Sequence, residues 1–308
     1  MISIVDVGCR YGVFPIFSDS FELFDYVGVD VDEDEIIRLR QKYNQKHIRF
    51  FPKFLSSDNK QVSFNISQHR GYGSSKKMNP KSIWFGSIRT DETQIVKHQD
   101  YFSEKSSIFM SQHISNHSII KLDIEGGELD FLNGLDENSF ETIEAFIIEA
   151  HFDSPYLTDS NFYTIGNFLS KKNYWAVSLE SEDVRLNKFY EAKDSIPCCS
   201  TIIFIKDIYN PQNYSSNTLN SEVMCEILYA LKLDGLLLNF LLENKPKQFQ
   251  MHRLFDKIKY TIGHKLNRLV KEPYIEKSEI ESLYFDLFND KFPLLSDFYE
   301  STFYNPLR

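Results

Sequence analysis

The chain has 308 residues, 42% of them hydrophobic and 15% aromatic, so it can bury a sizeable core and global disorder is not expected. Its net charge of −10 argues against general nucleic-acid binding, which depends on a basic surface. No apolar run reaches the roughly 18 residues that a membrane-spanning helix needs. The four cysteines lack CxxC or Cys/His ligand spacing, which predicts reduced thiols and a cytoplasmic protein. The neighbours Cys198 and Cys199 are expected to face opposite ways on a strand.

Strand-like and helix-like segments alternate over the first two-thirds of the chain, which predicts a mostly parallel sheet covered by helices. Strands are expected at Ser3–Val7, Tyr26–Val31, Ile48–Leu55, Val62–Ile66, Ile119–Ile124 and Ala145–Ala150. Helices are expected at Asp34–Tyr43, Glu128–Leu135 and Asn161–Lys171. The strand-like segments Trp175–Leu179 and Thr201–Lys206 have a short, polar link, so they are expected to close the sheet as an antiparallel pair.

The composition changes after residue 207. An Asn-, Ser- and Pro-rich stretch predicts a linker over 208–220, which separates a domain at 1–207 from a helical extension at 221–308. Within the extension, 245–271 carries eight Lys or Arg and one acid, with apolar residues at helical spacing. It is interpreted as a solvated helix face, a contact with an anionic membrane surface, or a docking surface for a partner enzyme or a second copy.

Two turns carry candidate ligand-binding residues. The first, DVGCRYG, contains Asp6, Gly8 and Gly12 after a strand, with GxxxG rather than GxGxxG spacing. A dinucleotide fold needs the closer spacing so that the backbone can approach a pyrophosphate. S-adenosylmethionine (SAM) has no pyrophosphate and needs a tight turn, with an acid after the next strand to accept from the ribose hydroxyls. Asp30 is placed for that role.

The segment IIKLDIEGGE, residues 119–128, places Asp123 and Glu125 at the end of an apolar strand. Open α/β sheets bind ligands outside the carboxyl ends of their strands. Read in order, DVGCRYG, VGVDVDEDE, IIKLDIEGGELDFLNGL and FIIEAHF resemble the FkbM family of SAM-dependent methyltransferases. The resemblance covers about residues 2–206.

That resemblance implies a Rossmann-like class I methyltransferase sheet, mostly parallel with an antiparallel closing strand, followed by the helical extension. It also implies SAM as the cofactor. Asp6, Gly8 and Gly12 would line its methionine end and Asp30 would hold the ribose. Asp58 would bind the adenine amine, although a simple turn-forming role in SSDNK is an equal alternative.

The catalytic residues are expected where the fourth and fifth strands end. Residues two apart share a strand face, so Asp123 with Glu125, and Glu149 with His151, are expected to face one cleft. His151 has the unperturbed pKa that suits a base, oriented by Asp123 or Glu149, or one of these carboxylates is itself the base. Asp123, Glu149 and His151 are also an alternative Mg²⁺ or Mn²⁺ site, ranked below metal-free catalysis.

The sequence therefore predicts transfer of a methyl group from SAM to a hydroxyl of a sugar, glycan precursor or other small acceptor. The protein is expected in the cytoplasm, with peripheral binding at the inner membrane surface as an option through the basic segment. A polar, glycine-bearing loop is interpreted either as a segment that closes over the ligand or as a solvated loop without a role; its residues are His69, Arg70, Tyr72, Ser74 and Ser75. Two alternatives stay open: an NAD-type oxidoreductase, and a non-catalytic binding or scaffold module with a methyltransferase fold.

Overall fold

The computed structural model describes residues 2–18, 24–82, 94–114, 117–185, 195–207, 221–244, 255–269 and 276–288. The chain divides into two compact units, Met1–Asn213 and Tyr214–Arg308. The predicted linker, 208–220, lies outside the described residues.

A seven-stranded sheet forms the centre of the first unit. Its strands lie in the order β3-β2-β1-β7-β8-β10-β9. Five of them are parallel, and β10 runs antiparallel to both β8 and β9. Their bounds are β1 Ser3–Val7, β2 Asp25–Asp30, β3 Ile48–Pro52, β7 Ser118–Leu122, β8 Ile143–His151, β9 Tyr174–Arg185 and β10 Ser195–Lys206. The predicted mixed α/β, mostly parallel sheet with an antiparallel closing strand is confirmed.

The parallel strands are short apolar runs because both faces of the sheet are covered. All five residues of β1 and of β7 are buried. Helices of the unit are α1 Glu33–Lys42, α2 Ser106–His113, α3 Glu128–Asn133, α4 Glu137–Thr142 and α5 Phe162–Ser170. Aromatic side chains from α2, α3 and α4 join the strand residues in one core cluster: Phe109, Phe131 and Phe140. Each such side chain contributes roughly 1.5–3 kcal/mol on full burial.

A second, three-stranded sheet was only partly predicted. It has the order β4-β6-β5, with β4 Phe54–Ser56, β5 Gln61–Ser67 and β6 Ile95–Lys105. The strand expected over Ile48–Leu55 is in fact two, β3 and β4, which belong to different sheets. No strand was predicted at β6 because it is mostly exposed and its polar residues hide the alternating pattern.

A bulge in β10 corrects the expectation for the adjacent cysteines. The register against β9 shifts between Pro197 and Cys199. Neighbouring residues of a regular strand point to opposite faces, but a bulge breaks that alternation. The Sγ atoms of Cys198 and Cys199 therefore lie only 3.8 Å apart. In the described structure both cysteines are buried and reduced.

The second unit is helical. Its described helices are α6 Ser221–Ala230, α7 Asp234–Asn244, α8 Phe255–Leu269 and α9 Lys277–Phe288. Between α6 and α7, Lys232 adopts a left-handed backbone (φ 56°), which ends the first helix before the second begins.

The described part of the basic segment 245–271 is α8. Its apolar residues Ile258, Ile262 and Leu266 are buried. A helix that lies in a membrane interface buries its apolar face there, and these three side chains are already packed within the protein. Within the described residues, no helix combines the length and apolarity needed to cross a membrane.

Candidate functional site

A cavity of about 560 Å³ lies at the carboxyl ends of the parallel strands. Its size is in the usual range for small-molecule sites. The wall is built from the segments that follow β1, β2, β3 and β7, together with Glu149 near the end of β8 and parts of the loop 69–75. Of the nine predicted site residues, the lining includes Asp6, Gly8, Gly12, Asp30, Asp123, Glu125 and Glu149.

The turn after β1 allows the strands to approach each other closely. Gly8 has a φ of 83°, which side-chain-bearing residues rarely adopt. A Cβ atom there would lie 1.9 Å from the carbonyl oxygen of Asp123. The Gly8 amide donates to Val29 O at 2.8 Å, and the Asp123 amide donates to Val7 O at 3.1 Å. The glycine thus brings the ends of β1, β2 and β7 to one side of the cavity.

A buried charge network supports this turn. Lys121 of β7 pairs with Asp6 at 3.3 Å and with Asp123 at 3.1 Å, and it donates to Gly8 O at 3.2 Å. The Tyr26 hydroxyl donates to the other Asp6 oxygen at 2.5 Å. Burial raises the pKa of Asp6, and Lys121 and Tyr26 oppose that shift. Burial alone would lower the pKa of Lys121, but the Asp6 and Asp123 carboxylates outweigh it and raise the pKa.

Asp30 ends β2 at the cavity wall and is 8% exposed. Its Oδ1 accepts from the Asp32 amide at 2.8 Å. Burial raises the pKa of Asp30, and this backbone hydrogen bond opposes the shift. The carboxylate is therefore fixed in place beside the glycine turn.

The outer part of the turn is held by α1. Arg10 pairs with Asp32 at 2.6 Å, and the Tyr11 amide donates to Glu35 at 3.1 Å. Tyr11 has a φ of 76° and an exposed side chain at the cavity. Hydrogen bonds from Arg38 lower the pKa of Glu35 to about 2, so it remains an acceptor for the turn at neutral pH.

One wall of the cavity is apolar. Phe54, Leu55 and Phe64 line it, next to Lys53. The structure does not bring Asp58 there. The Asp58 side chain is 58% exposed and pairs with Lys60 at 2.9 Å, and Asp58 is not among the described residues that line the cavity. The turn after β4 points the Asp58 side chain to solvent.

The opposite end of the cavity is acidic, with Asp123, Glu125 and Glu149 in its wall. Burial and the nearby Asp123 carboxylate raise the pKa of Glu125 well above its usual range. The Tyr156 hydroxyl donates to Glu125 Oε2 at 2.7 Å. Glu125 has a φ of 53°, and its carbonyl oxygen accepts from the buried Ser74 hydroxyl at 2.6 Å. The acids after β7 are thus fastened to both the polar loop and Tyr156.

The polar loop 69–75 forms part of the wall. His69 and Tyr72 stack with ring centroids 4.9 Å apart, and both line the cavity. Ser75 also lines it, whereas Ser74 is buried beneath. The side chain of Arg70 lies outside the described structure. The described loop therefore lies in the cavity wall and is attached to the acidic segment through Ser74.

His151 lies elsewhere than expected. It is 6% exposed and is not among the described lining residues. Its ring packs edge-on against Tyr156, with centroids 6.5 Å apart. Burial lowers the pKa of His151 to about 4, against the opposing effect of Asp123 and Asp153. Its side chain therefore lacks both the access and the pKa near 6.5 on which the predicted role as base depended.

Glu128 has a structural role. Its buried carboxylate accepts from the Ile124 and Gly126 amides, each at 3.2 Å, and from the Ser160 hydroxyl at 2.7 Å. It stands at the first position of α3, where the helix dipole favours an acid. It thus shapes the turn that presents Asp123 and Glu125.

Sequence reasoning gave no role to Lys121, Tyr26 or Tyr156. For Lys121 a signal was available, because a lysine inside an otherwise apolar strand must find a buried partner. The two tyrosines carried no local signal, since aromatic residues are common in cores and only the fold shows which hydroxyl meets an acid.

The chain is distantly similar to several solved structures. A protein of the NADB-Rossmann superfamily from Streptococcus agalactiae is 12% identical, with 94% of this chain and 89% of that chain covered and a TM-score of 0.35. A TehB-like SAM-dependent methyltransferase from Corynebacterium glutamicum is 12% identical, with 67% and 80% covered and a TM-score of 0.31. A SAM-dependent methyltransferase from Anabaena variabilis is 8% identical, with 67% and 77% covered and a TM-score of 0.33. These scores are low, so the fold assignment rests on the strand order.

The comparison with curated proteins gives no match. The model of one family, described as the methyltransferase FkbM domain, matches residues 24–175. The match includes Asp30 and the carboxyl ends of β7 and β8, which form most of the acidic side of the cavity. Residues 24–175 of this chain are therefore similar to the methyltransferase FkbM domain, as the order of the motifs predicted.

Proposed function

We propose that the protein transfers the methyl group of SAM to a hydroxyl oxygen of a neutral sugar, a glycan precursor or a similar small acceptor. One observation carries the proposal: a single cavity joins a glycine turn and a strand-end acid at one side to a group of three carboxylates at the other. The glycine turn and the strand-end acid suit SAM, which is the methyl donor. The three acids suit a methyl acceptor whose hydroxyl groups donate hydrogen bonds.

SAM fits the donor side by its chemistry. The Asp30 carboxylate can accept from both ribose hydroxyls. The Gly8 turn gives the methionine portion close access to backbone, and the apolar wall of Phe54, Leu55 and Phe64 offers a surface for the adenine ring. When bound, SAM supplies an electrophilic methyl group on a positively charged sulfur.

The acceptor side favours a neutral hydroxyl compound. Asp123 and Glu149 would repel a carboxylate or phosphate near the reacting atom. Hydroxyl groups instead donate to carboxylates, and several around one ring could meet these acids together. The loop 69–75 adds His69 and Tyr72 to the same wall.

Methyl transfer from a sulfonium is an in-line displacement. The acceptor oxygen bonds to the methyl carbon as the carbon–sulfur bond breaks, sulfur becomes neutral, and the hydroxyl proton must leave. The chain mainly aligns the two groups and excludes water. We assign Asp123 as the base that accepts this proton. Its side chain is 34% exposed and lines the cavity, and Lys121 fixes its position.

Calorimetric titration of the whole protein with SAM and with NAD⁺ tests the donor. SAM should bind and NAD⁺ should not; tight NAD⁺ binding without SAM binding would overturn the proposal in favour of an oxidoreductase. Radiolabelled SAM with neutral sugars, nucleotide sugars and glycan fragments then tests the acceptor, with matched amines as the comparison. Transfer to hydroxyls is expected. SAM binding without transfer to any of them would favour a binding module.

A further inference from the structure

We propose that the protein binds one zinc ion between β8 and β10, through Glu149, His151 and Cys199. Among the described residues, one ligand atom from each of these side chains lies within 4.8 Å of the other two. The sequence instead grouped His151 and Glu149 with Asp123, for a magnesium or manganese ion. The fold adds a thiol, which changes the class of metal.

The three side chains come together because of strand register. Cys199 is the direct antiparallel partner of His151, and Glu149 lies two residues before His151 on the same strand face. Just before this point, between Pro197 and Cys199, a bulge shifts the register of β10 against β9 by one residue. Bulges often redirect a side chain next to a functional site. Two paired central strands also give ligands a rigid base.

The donor set selects zinc. Thiolate and imidazole are preferred by zinc, whereas magnesium and manganese prefer oxygen ligands. At zinc–ligand bond lengths of about 2.0–2.3 Å, tetrahedral donor atoms lie roughly 3.3–3.8 Å apart. Donors within 4.8 Å therefore need to approach one another by only about 1–1.5 Å, which side-chain rotation can supply.

Charge and burial agree with that choice. Cys199 is 3% exposed and His151 is 6% exposed, so both donors lie out of bulk water. A zinc ion with one thiolate, one carboxylate and one neutral imidazole has no net charge. Because a buried charge is costly unless it is paired, this neutral group suits its surroundings.

The three ligands leave a fourth tetrahedral position open, as in catalytic rather than structural zinc sites. Glu149 also lines the cavity, so an ion bound there lies beside the acidic end. Metal binding does not depend on methyl transfer: the chain could bind zinc whether or not the proposed reaction is correct.

Cobalt(II) is a visible probe for the site. The whole protein, stripped with a chelator, is titrated with Co²⁺ and then with Zn²⁺. One equivalent of Co²⁺ should produce a thiolate-to-metal charge-transfer absorption that Zn²⁺ abolishes. The untreated protein should contain about one zinc per chain by elemental analysis, as a three-ligand site predicts. No such absorption, together with no competition by zinc, would overturn the proposal.

Variants test the ligands. Cys199→Ser should remove the charge-transfer absorption, whereas Cys225→Ser, which changes a buried cysteine of α6, should keep it. Mutating a residue that only hydrogen-bonds to a metal ligand typically lowers metal affinity by about 10–100-fold. His151→Ala and Glu149→Gln change the ligands themselves, so each should weaken zinc binding at least about 100-fold. Circular dichroism confirms that each variant is folded. Retention of the absorption in folded Cys199→Ser would overturn the assignment.

A separate readout distinguishes this proposal from the methyltransferase proposal. Calorimetry with SAM reports on the donor site, and cobalt absorption reports on the metal site. Normal SAM binding without a cobalt signal would overturn only the zinc proposal, and a cobalt signal without SAM binding would overturn only the methyl-transfer proposal.

Discussion

Asp6 of β1 and Lys121 of β7 are register partners in adjacent parallel strands, and their charged groups lie 3.3 Å apart in the interior. Both side chains are almost fully buried, at 1% and 6% exposure. The pair therefore connects the glycine turn after β1 to Asp123 at the acidic end of the cavity, because the same lysine also pairs with Asp123.

Lys121→Met should destabilise the first unit by about 3–5 kcal/mol, because it leaves the buried Asp6 carboxylate without its cation. The measurement is urea-induced unfolding at neutral pH. Lys60→Met is the matched control. It removes a lysine from an exposed pair with Asp58 and should leave the free energy of unfolding close to that of the wild type. Equal effects in the two variants would contradict the buried role of Lys121.

Asp30→Asn should weaken SAM binding by about 10–150-fold, which corresponds to roughly 1.5–3 kcal/mol for hydrogen bonds to a charged group. Calorimetry gives the dissociation constants. The control is Asp25→Asn, at the other end of the same strand, where the carboxylate pairs with Arg49. Unchanged affinity in Asp30→Asn would show that the ribose lies elsewhere.

Asp123→Asn should lower kcat by about 100- to 10,000-fold, the usual contribution of a positioned base, with little change in SAM affinity. Initial rates with saturating SAM and the acceptor found by screening provide the test. Asp58→Asn should keep both kcat and SAM affinity, because Asp58 is exposed outside the cavity. Full activity in Asp123→Asn would remove this residue as the proton acceptor.

Alanine substitution at two glycines of the first unit should change the stability of the protein in opposite directions. In Gly8→Ala the added Cβ would lie 1.9 Å from the Asp123 carbonyl oxygen. This overpacking should lower the free energy of unfolding by about 1–3 kcal/mol and weaken SAM binding. At Gly166, inside α5, the added Cβ has no atom within 4 Å. Gly166→Ala should therefore stabilise the protein by about 0.5–1 kcal/mol. Thermal and urea unfolding of both variants would show the two signs.

Glu35 predicts a pH dependence of stability. Hydrogen bonds from Arg38 lower the pKa of Glu35 from 4.5 to about 2 in the folded protein. A group with a lowered folded pKa stabilises the fold above its unfolded pKa, and this contribution is lost as pH falls. The stability difference between wild type and Glu35→Gln should thus be full above about pH 4.5 and shrink towards pH 2.

Unfolding free energies of wild type and Glu35→Gln between pH 6 and pH 3 measure that difference. Arg38→Met should lose the same pH-dependent contribution to the free energy of unfolding, because it removes the two hydrogen bonds to Glu35 at 2.8 and 2.6 Å. A difference that stays constant over this range would contradict the Glu35 assignment.

The donor side was largely predictable from sequence because its signals are local. A glycine turn after an apolar strand and an acid after the next strand are each readable over a few residues. Asp6, Gly8, Gly12 and Asp30 all line the cavity. The Asp58 prediction used only its position soon after a strand, and the direction of a short turn depends on the sheet it leaves, here the small sheet of β4.

The sequence by itself determined the alternation of strands and helices, the acids at the strand ends and the similarity to the methyltransferase FkbM domain. Only the tertiary structure decided which of these acids share a wall, that Lys121 joins Asp6 to Asp123, and that His151 lies beside Cys199 rather than in the cavity. The physical reason is strand register: the pairing of β8 with β10 joins residues about fifty positions apart and makes Cys199 the direct partner of His151.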